Sequence, residues 1–88
     1  MRAIVTVIGK DRVGIIADVC SLLASNSVNI LDISQTVMCD YFTMIMLVEA
    51  PEGTDFSALS ALLDAEGEKT GLKIRIQREE IFEAMHRI

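Results

Sequence analysis

The order of apolar patterns along the chain is the feature that most limits its fold. Short runs rich in β-branched residues alternate with segments in which apolar residues recur every three or four positions. Strands are predicted at residues 3–8 (AIVTVI), from about 28 to 39, at 42–49 and at 72–77 (LKIRIQ). Helices are predicted from Val13 to the Asn26-Ser27 turn, from a cap at Thr54 or Asp55 to Gly71, and from about Glu79.

This strand–helix–strand, strand–helix–strand order is that of two split βαβ units, the ferredoxin-like arrangement in the α+β class. Right-handed crossovers place both long helices on one face of an antiparallel sheet whose strands run in the order 4-1-3-2. The length of 88 residues fits one domain, residues 1–88, with a core over 1–78 and a short C-terminal helix at about 79–88. A tight hairpin at Asp40-Tyr41 joins the second and third strands.

Two of the predicted elements carry apolar residues that bear on packing. The first helix is predicted to bury a stripe through Val13, Ile16, Ala17, Cys20, Leu23 and Ala24. The third strand, FTMIMLV, is apolar on both faces, although helices cover only one. Either the C-terminal helix, with Ile81, Phe82, Met85 and Ile88 on one side, or a second copy of the chain is expected to cover the other face. We therefore expect a homo-oligomer, a dimer or larger.

Charge and composition exclude several classes of partner. The net charge of -5 and the aromatic content of 5% disfavour a nucleic acid, which requires a basic face or stacking platforms. No apolar run is long enough to cross a bilayer, so no membrane partner is expected, and Met1-Arg2 leads directly into a strand pattern without the features of a signal peptide. Cys20 and Cys39 lack C-x-x-C spacing and are interpreted as partly buried reduced thiols, which predicts a cytoplasmic location.

The stretch GKDRVGI, residues 9–15, joins the first strand to the first helix. Gly9 and Gly14 have the spacing of a phosphate-binding loop, but Ile15-Ile16 replace the Lys and Ser/Thr that such a loop needs. A dinucleotide fingerprint needs a third glycine. His86 stands alone without a partner at metal-ligand spacing. The sequence therefore predicts no cofactor, no metal and no catalytic residue.

The same turn has the geometry of an anion site, because backbone N–H groups in the first turn of a helix lack partners and the helix dipole is positive there. Asp11 could meet a ligand ammonium and Arg12 a carboxylate, and Asn29 is expected beside the same end of the sheet. The alternative interpretation is that Asp11 only caps the helix, Arg12 is solvated and Asn29 is a turn residue.

The pairing of GKDRVGI with VNILDIS at residues 28–34, after one helix, resembles the ACT domain, a family of small modules that bind amino acids and other effectors. The segments DISQTV, YFTM at residues 41–44 and IFEAM at 81–85 look like the small stand-alone ACT proteins of bacteria and archaea. The resemblance implies effector contacts at Asp11, Arg12, Val13, Gly14, Ile15, Asn29 and Ile30, with a second wall of the pocket often supplied by a neighbouring subunit. The chain departs from the family in having Val13 where many members have Pro, and Gly9-Lys10 where some have His or Asn.

Three classes of function follow. The first is a non-catalytic regulatory module that binds an amino-acid-like effector, with Arg12 and the Gly14 backbone holding its anionic end. Ile15 and Ile30 would form an apolar floor, and the second strand is the edge expected to pair with another subunit. The second is a ligand-free module for self-association or protein interaction. The third is a small acylphosphatase-like hydrolase that uses Arg12 and Asn29, which the loop disfavours because it has too few glycine N–H groups for a phosphate cradle.

Overall fold

The computed structural model describes residues 1–10 and 13–80. The elements follow the predicted order: β1 (Arg2–Lys10), α1 (Ile15–Ser25), β2 (Asn29–Met38), β3 (Tyr41–Glu49), α2 (Phe56–Thr70) and β4 (Lys73–Arg78). The predicted C-terminal helix lies almost wholly in residues 81–88, outside the described residues.

The four strands form one antiparallel sheet in the order β2-β3-β1-β4, which confirms the predicted ferredoxin-like topology. At one end of the sheet, Arg2 pairs with Glu49 and Glu49 with Asn29. At the other end, Lys10 pairs with Tyr41 and Tyr41 with Met38. The two central strands, β1 and β3, are buried on the face that both helices cover, and β2 and β4 are left as edges.

The first helix buries a different stripe from the predicted one. Ile15, Val19 and Leu23 enter the core, four residues apart, with exposed fractions of 2%, 1% and 0%. Of the predicted stripe only Leu23 is buried; Cys20 is half-buried, and the other members (Val13, Ile16, Ala17 and Ala24) are exposed. The prediction was wrong in phase because apolar residues lie on both sides of this helix, and packing into the core under the sheet selects one side.

The prediction of an apolar outer sheet face is confirmed. On the helix side, Phe42, Met44, Met46 and Val48 of β3 are buried. On the opposite side, Ile45 of β3 remains 41% exposed and Ile8 of β1 remains 46% exposed. What covers this outer face stays a prediction, since both proposed occupants, the C-terminal helix and a second copy, lie outside the described residues.

The second helix has a defined start and end. Asp55 is the N-cap, and its Oδ1 accepts a hydrogen bond from the backbone N–H of Ala58 at 3.1 Å. Gly71 ends the helix with φ 76°, and the N–H of Leu72 donates to the carbonyl of Gly67 at 2.8 Å. The chain therefore turns directly from α2 into β4, which fixes the helix against this edge of the sheet.

Gly67 of α2 lies close to the backbone that leads into β4, and Gly67→Ala is expected to destabilise the protein. A Cβ at this position would lie 2.6 Å from the Leu72 carbonyl oxygen, so backbone must move. We expect a net loss of about 1–3 kcal/mol even though alanine is the better helix former. Urea unfolding of Gly67→Ala checks this, and an unchanged or higher midpoint would contradict it.

The turn between β2 and β3 falls one residue earlier than predicted. Cys39 and Asp40 occupy its centre with φ 51° and 70°, the pattern of a type I′ hairpin, and Tyr41 already pairs with Met38. Both cysteines are free, as expected, but only Cys20 is half-buried; Cys39 is exposed at the hairpin tip because it lies in this turn.

Candidate functional site

The turn between β1 and α1 is the candidate site, and the structure describes part of it. Gly9 and Lys10 end β1, and Val13 and Gly14 lead into α1. Asp11 and Arg12, for which contacts with the charged ends of an effector were predicted, lie outside the described residues. Their roles remain predictions.

Gly14 shapes the entry into α1. It is the N-cap residue with φ 92° and ψ 0°, a left-handed conformation that favours glycine. Its carbonyl accepts the hydrogen bond from Asp18 N–H at 2.9 Å, and no side chain among the described residues caps the helix start. First-turn N–H groups have no acceptor within a helix, so the start of α1 can receive an anionic group from outside.

The two apolar residues beside Gly14 point in different directions. Val13 is 98% exposed, so its side chain is accessible to a molecule at the turn. Ile15 is only 2% exposed and belongs to the hydrophobic core. The prediction that its side chain forms the floor of a pocket was wrong. Any contact of Ile15 with an effector must come from its main chain.

Asn29 and Ile30 are not beside this turn, contrary to the expectation that Asn29 lies at the same end of the sheet. Asn29 pairs with Glu49, at the end of the sheet where β1 begins. The turn follows Lys10, eight residues further along β1, a distance of about 26 Å at the usual rise of a strand. Because α1 carries the chain back along the sheet, one chain cannot bring Asn29 to its own turn.

The structure instead brings the β2–β3 hairpin to the level of the turn. Met38 and Tyr41 pair with each other, and Tyr41 pairs with Lys10. Met38 is 68% exposed and Tyr41 54% exposed, so an apolar group and a phenol stand beside the end of β1. Sequence reasoning missed them; the signal was the two-residue hairpin, which fixes Met38 opposite Tyr41 once the strand order is known.

The β2 edge is open along its whole length. Every residue of β2 except Ile30 is exposed, and within residues 1–10 and 13–80 β2 pairs only with β3. Ile33 and Val37 pair with the core residues Met46 and Phe42, so they lie on the helix side of the sheet, yet they are 39% and 56% exposed. Asp32 is the one charged residue of this edge. A long edge with few charges and uncovered apolar side chains is a surface on which another strand can pair.

Membrane insertion through a helix finds no support in the part of the chain that the structure describes. No helix within residues 1–10 and 13–80 is long and apolar enough to span a bilayer.

Comparisons with known proteins agree with this architecture. The family model of the ACT domain matches residues 2–77. A "UPF0237 protein" of the archaeon Methanosarcina acetivorans is 53% identical over 88 residues, which cover 99% of this chain and 96% of that protein. The structure of an ACT domain protein from Streptococcus pneumoniae superposes with a TM-score of 0.86 at 47% identity over 94% of each chain.

A more distant likeness shows the fold alone. The structure of a putative glycine cleavage system transcriptional repressor superposes with a TM-score of 0.77 at 24% identity. The match covers 86% of this chain and 44% of that one, so the same unit occurs there within a longer protein.

The ferredoxin-like sheet, the start of α1 with no side-chain cap among the described residues, and the open β2 edge define a small α+β module. The match over residues 2–77 and the close relatives show that this chain belongs to the ACT-domain family, specifically among its small bacterial and archaeal members. This confirms the resemblance carried by GKDRVGI and VNILDIS.

Proposed function

We propose that this chain, residues 1–88 as a single module, is a cytoplasmic regulatory protein that binds a small amino-acid-like effector between two copies of itself. The separation of about 26 Å between the β1–α1 turn and Asn29 within one chain carries the proposal. Both parts can contribute to one site only if they come from different chains.

Pairing between two β2 edges joins the separated parts. In an antiparallel pair centred near Ser34, Asn29 of one copy lies at the level of Met38 of the other, beside that copy's β1–α1 turn. Asp32 then faces Thr36 of the second copy, so the pairing sets no like charges opposite each other. Ile33 then faces Gln35 of the second copy and lies diagonal to that copy's Ile33 and Val37, so these side chains extend the apolar layer under the helices. The two-fold pairing creates two equivalent sites.

Each site has groups suited to the two ends of an amino acid. Arg12 and the N–H groups around Gly14 hold the carboxylate at the positive end of α1. Asp11 of the same copy and the Asn29 amide of the second copy meet the ammonium. Val13 and the second copy's Ile30 contact the side chain of the effector, and the Ile15 contact is limited to its main chain.

An effector held between two copies is linked to their association. Ligand that bridges the chains tightens the dimer, and a tighter dimer binds ligand more strongly by the same factor. This coupling is the means by which the module reports effector concentration to a partner protein. Sedimentation of the protein with and without the effector measures the factor directly.

A thermal-shift screen against the individual L-amino acids at millimolar concentrations tests the proposal first. Saturation at about a hundred times the dissociation constant adds roughly 2.7 kcal/mol of stability. For a domain of this size the melting temperature rises on the order of ten degrees. A dose-dependent rise with one or two amino acids supports effector binding.

Mixing two binding-defective variants tests whether the site is shared. Arg12→Ala damages one half of each site and Asn29→Ala the other, so neither variant alone is expected to bind the amino acid found in the screen. Random exchange makes about half of the dimers mixed, each with one intact site, so about a quarter of the sites recover. Isothermal titration of the mixture measures this fraction.

Failure of the mixture to recover binding, with both variants still dimeric, would contradict a shared site. A flat amino-acid screen together with a stable dimer would instead favour the assembly module without a ligand. In either case we expect another molecule to cover the exposed Ile33 and Val37 of the β2 edge.

A further inference from the structure

The second sheet edge, β4, borders a groove that the effector site does not use. The groove encloses about 580 Å³ between the exposed side of β4 and the adjacent part of α2. Its walls include Ile8, Asp64, Glu68, Lys73, Ile74 and Arg75. Among the described residues β4 pairs only with β1, so its backbone on the groove side has no neighbouring strand in that part of the chain.

Four charged residues line the groove, two basic ones on one side of the β4 backbone and two acidic ones on the other. Lys73 and Arg75 pair with Ile8 and Thr6 of β1, so they project from the outer sheet face below the β4 backbone. Asp64 and Glu68, one turn apart on α2, lie above it on the helix side. Within residues 1–10 and 13–80 none of these four side chains forms an ion pair or a side-chain hydrogen bond. The backbone of β4 keeps the two signs apart.

We propose that the β4 edge is a strand-addition site for an extended segment of a partner protein. The segment would pair its backbone with β4, place acidic side chains next to Lys73 and Arg75, and place apolar and basic side chains next to Ile74, Asp64 and Glu68. Side chains alternate between the faces of a strand, so the partner is a stretch of about six residues with acids at every second position. The inference does not depend on effector binding at the β1–α1 turn.

A second copy of this chain does not fit the β4 edge. Two β4 strands joined edge to edge would place Lys73 and Arg75 of both chains on one face of the joined sheet, where like charges repel. The acidic residues of the two α2 helices would also approach each other on the other face. By contrast, the β2 edge carries Asp32 as its one charge. The two edges are therefore suited to different partners. The β2 edge suits the β2 edge of a second copy, and the β4 edge suits a strand with the opposite charge pattern.

A blocked peptide, Thr-Glu-Val-Glu-Lys-Glu-Val-Thr, tests this site. As a strand it sets all three glutamates on one face and the valines and lysine on the other. Titration into ¹⁵N-labelled full-length protein is expected to shift the amide signals of residues 73–78 and to slow their hydrogen exchange. A peptide with lysine and glutamate interchanged is expected to bind about tenfold more weakly or not at all.

Paired variants separate the site from general charge effects. Lys73→Glu with Arg75→Glu is expected to weaken peptide binding about tenfold or more. Lys10→Glu with Lys69→Glu changes the net charge equally at exposed positions outside the groove, and is expected to leave binding unchanged. Circular dichroism verifies that both double variants fold.

The proposal is overturned if the peptide does not bind, if the shifted signals lie outside β4, or if both double variants bind alike. It is also overturned if the protein alone assembles into linear oligomers through this edge, because the occupant of β4 would then be β2 of another copy. Retained peptide binding by Asn29→Ala would show that this site is independent of the effector site.

Discussion

Ile33→Lys is expected to convert the proposed dimer to a monomer without unfolding the chain. Ile33 lies on the helix side of the β2 edge, and 39% of its surface is exposed in the single chain. A lysine at this position can extend its ammonium into water while the chain is alone. In the joined sheet the same side chain meets the second copy's β2, so two ammonium groups lose water without gaining an anion.

The size of the effect follows from the cost of an unpaired buried charge. Even after relaxation this cost is several kcal/mol, which corresponds to a dissociation constant raised on the order of a hundredfold or more. Sedimentation equilibrium over a range of concentrations measures that constant. Effector binding is expected to be lost with the dimer, because Arg12 and Asn29 of different chains no longer meet.

Leu62→Lys supplies a matched control. Leu62 has almost the same exposed fraction, 38%, but lies on α2, away from the β2 edge. It introduces the same charge and is expected to leave the dimer intact. Equal dissociation by the two variants, or a fully dimeric Ile33→Lys, would show that the β2 edges do not form the interface.

The fold could be predicted because several local patterns agree on it. The alternation in LKIRIQ specifies β4, the Asp55 cap and the Gly71 stop bound α2, and short connections leave few topologies for six elements. The observed boundaries differ from the predicted ones by one or two residues. Such differences arise because strand ends depend on pairing partners, as where Arg2 gains Glu49 opposite it.

The buried side of α1 could not be read from its own sequence. The segment IIADVCSLLA carries two overlapping apolar stripes, one through Ile15, Val19 and Leu23 and another through Ile16 and Cys20. Periodicity alone does not choose between them. The choice depends on the angle at which the chain leaves Gly14, whose left-handed conformation directs Ile15 into the core.

The position of Asn29 could have been predicted from the topology. An α1 of 11 residues is about 16 Å long and runs back along the sheet, so the strand after it must begin near the start of β1. The expectation that Asn29 lies beside the β1–α1 turn overlooks this return of the chain. Within one chain the register separates the two, and the proposed second copy would bring them together.

Leu63→Ala is expected to have the largest effect on the stability of the single chain. Leu63 is fully buried between α2 and the sheet, whereas its neighbour Leu62 is 38% exposed. Removing the buried side chain leaves a cavity and costs about 2–5 kcal/mol, a large share of the 5–15 kcal/mol typical of a folded domain. Urea unfolding measures this loss, with Leu62→Ala as the control at about 1 kcal/mol or less.

The two leucines also separate the stability of the fold from that of the dimer. Leu63 packs within one chain and lies far from the β2 edge in the sheet order, so Leu63→Ala should lower the unfolding midpoint at every protein concentration. Ile33→Lys should instead remove the dependence of the midpoint on concentration, because unfolding no longer includes dissociation. If Leu63→Ala also dissociated the folded dimer, the interface would involve the α2 side of the molecule. The shared effector site would then have to lie on that side.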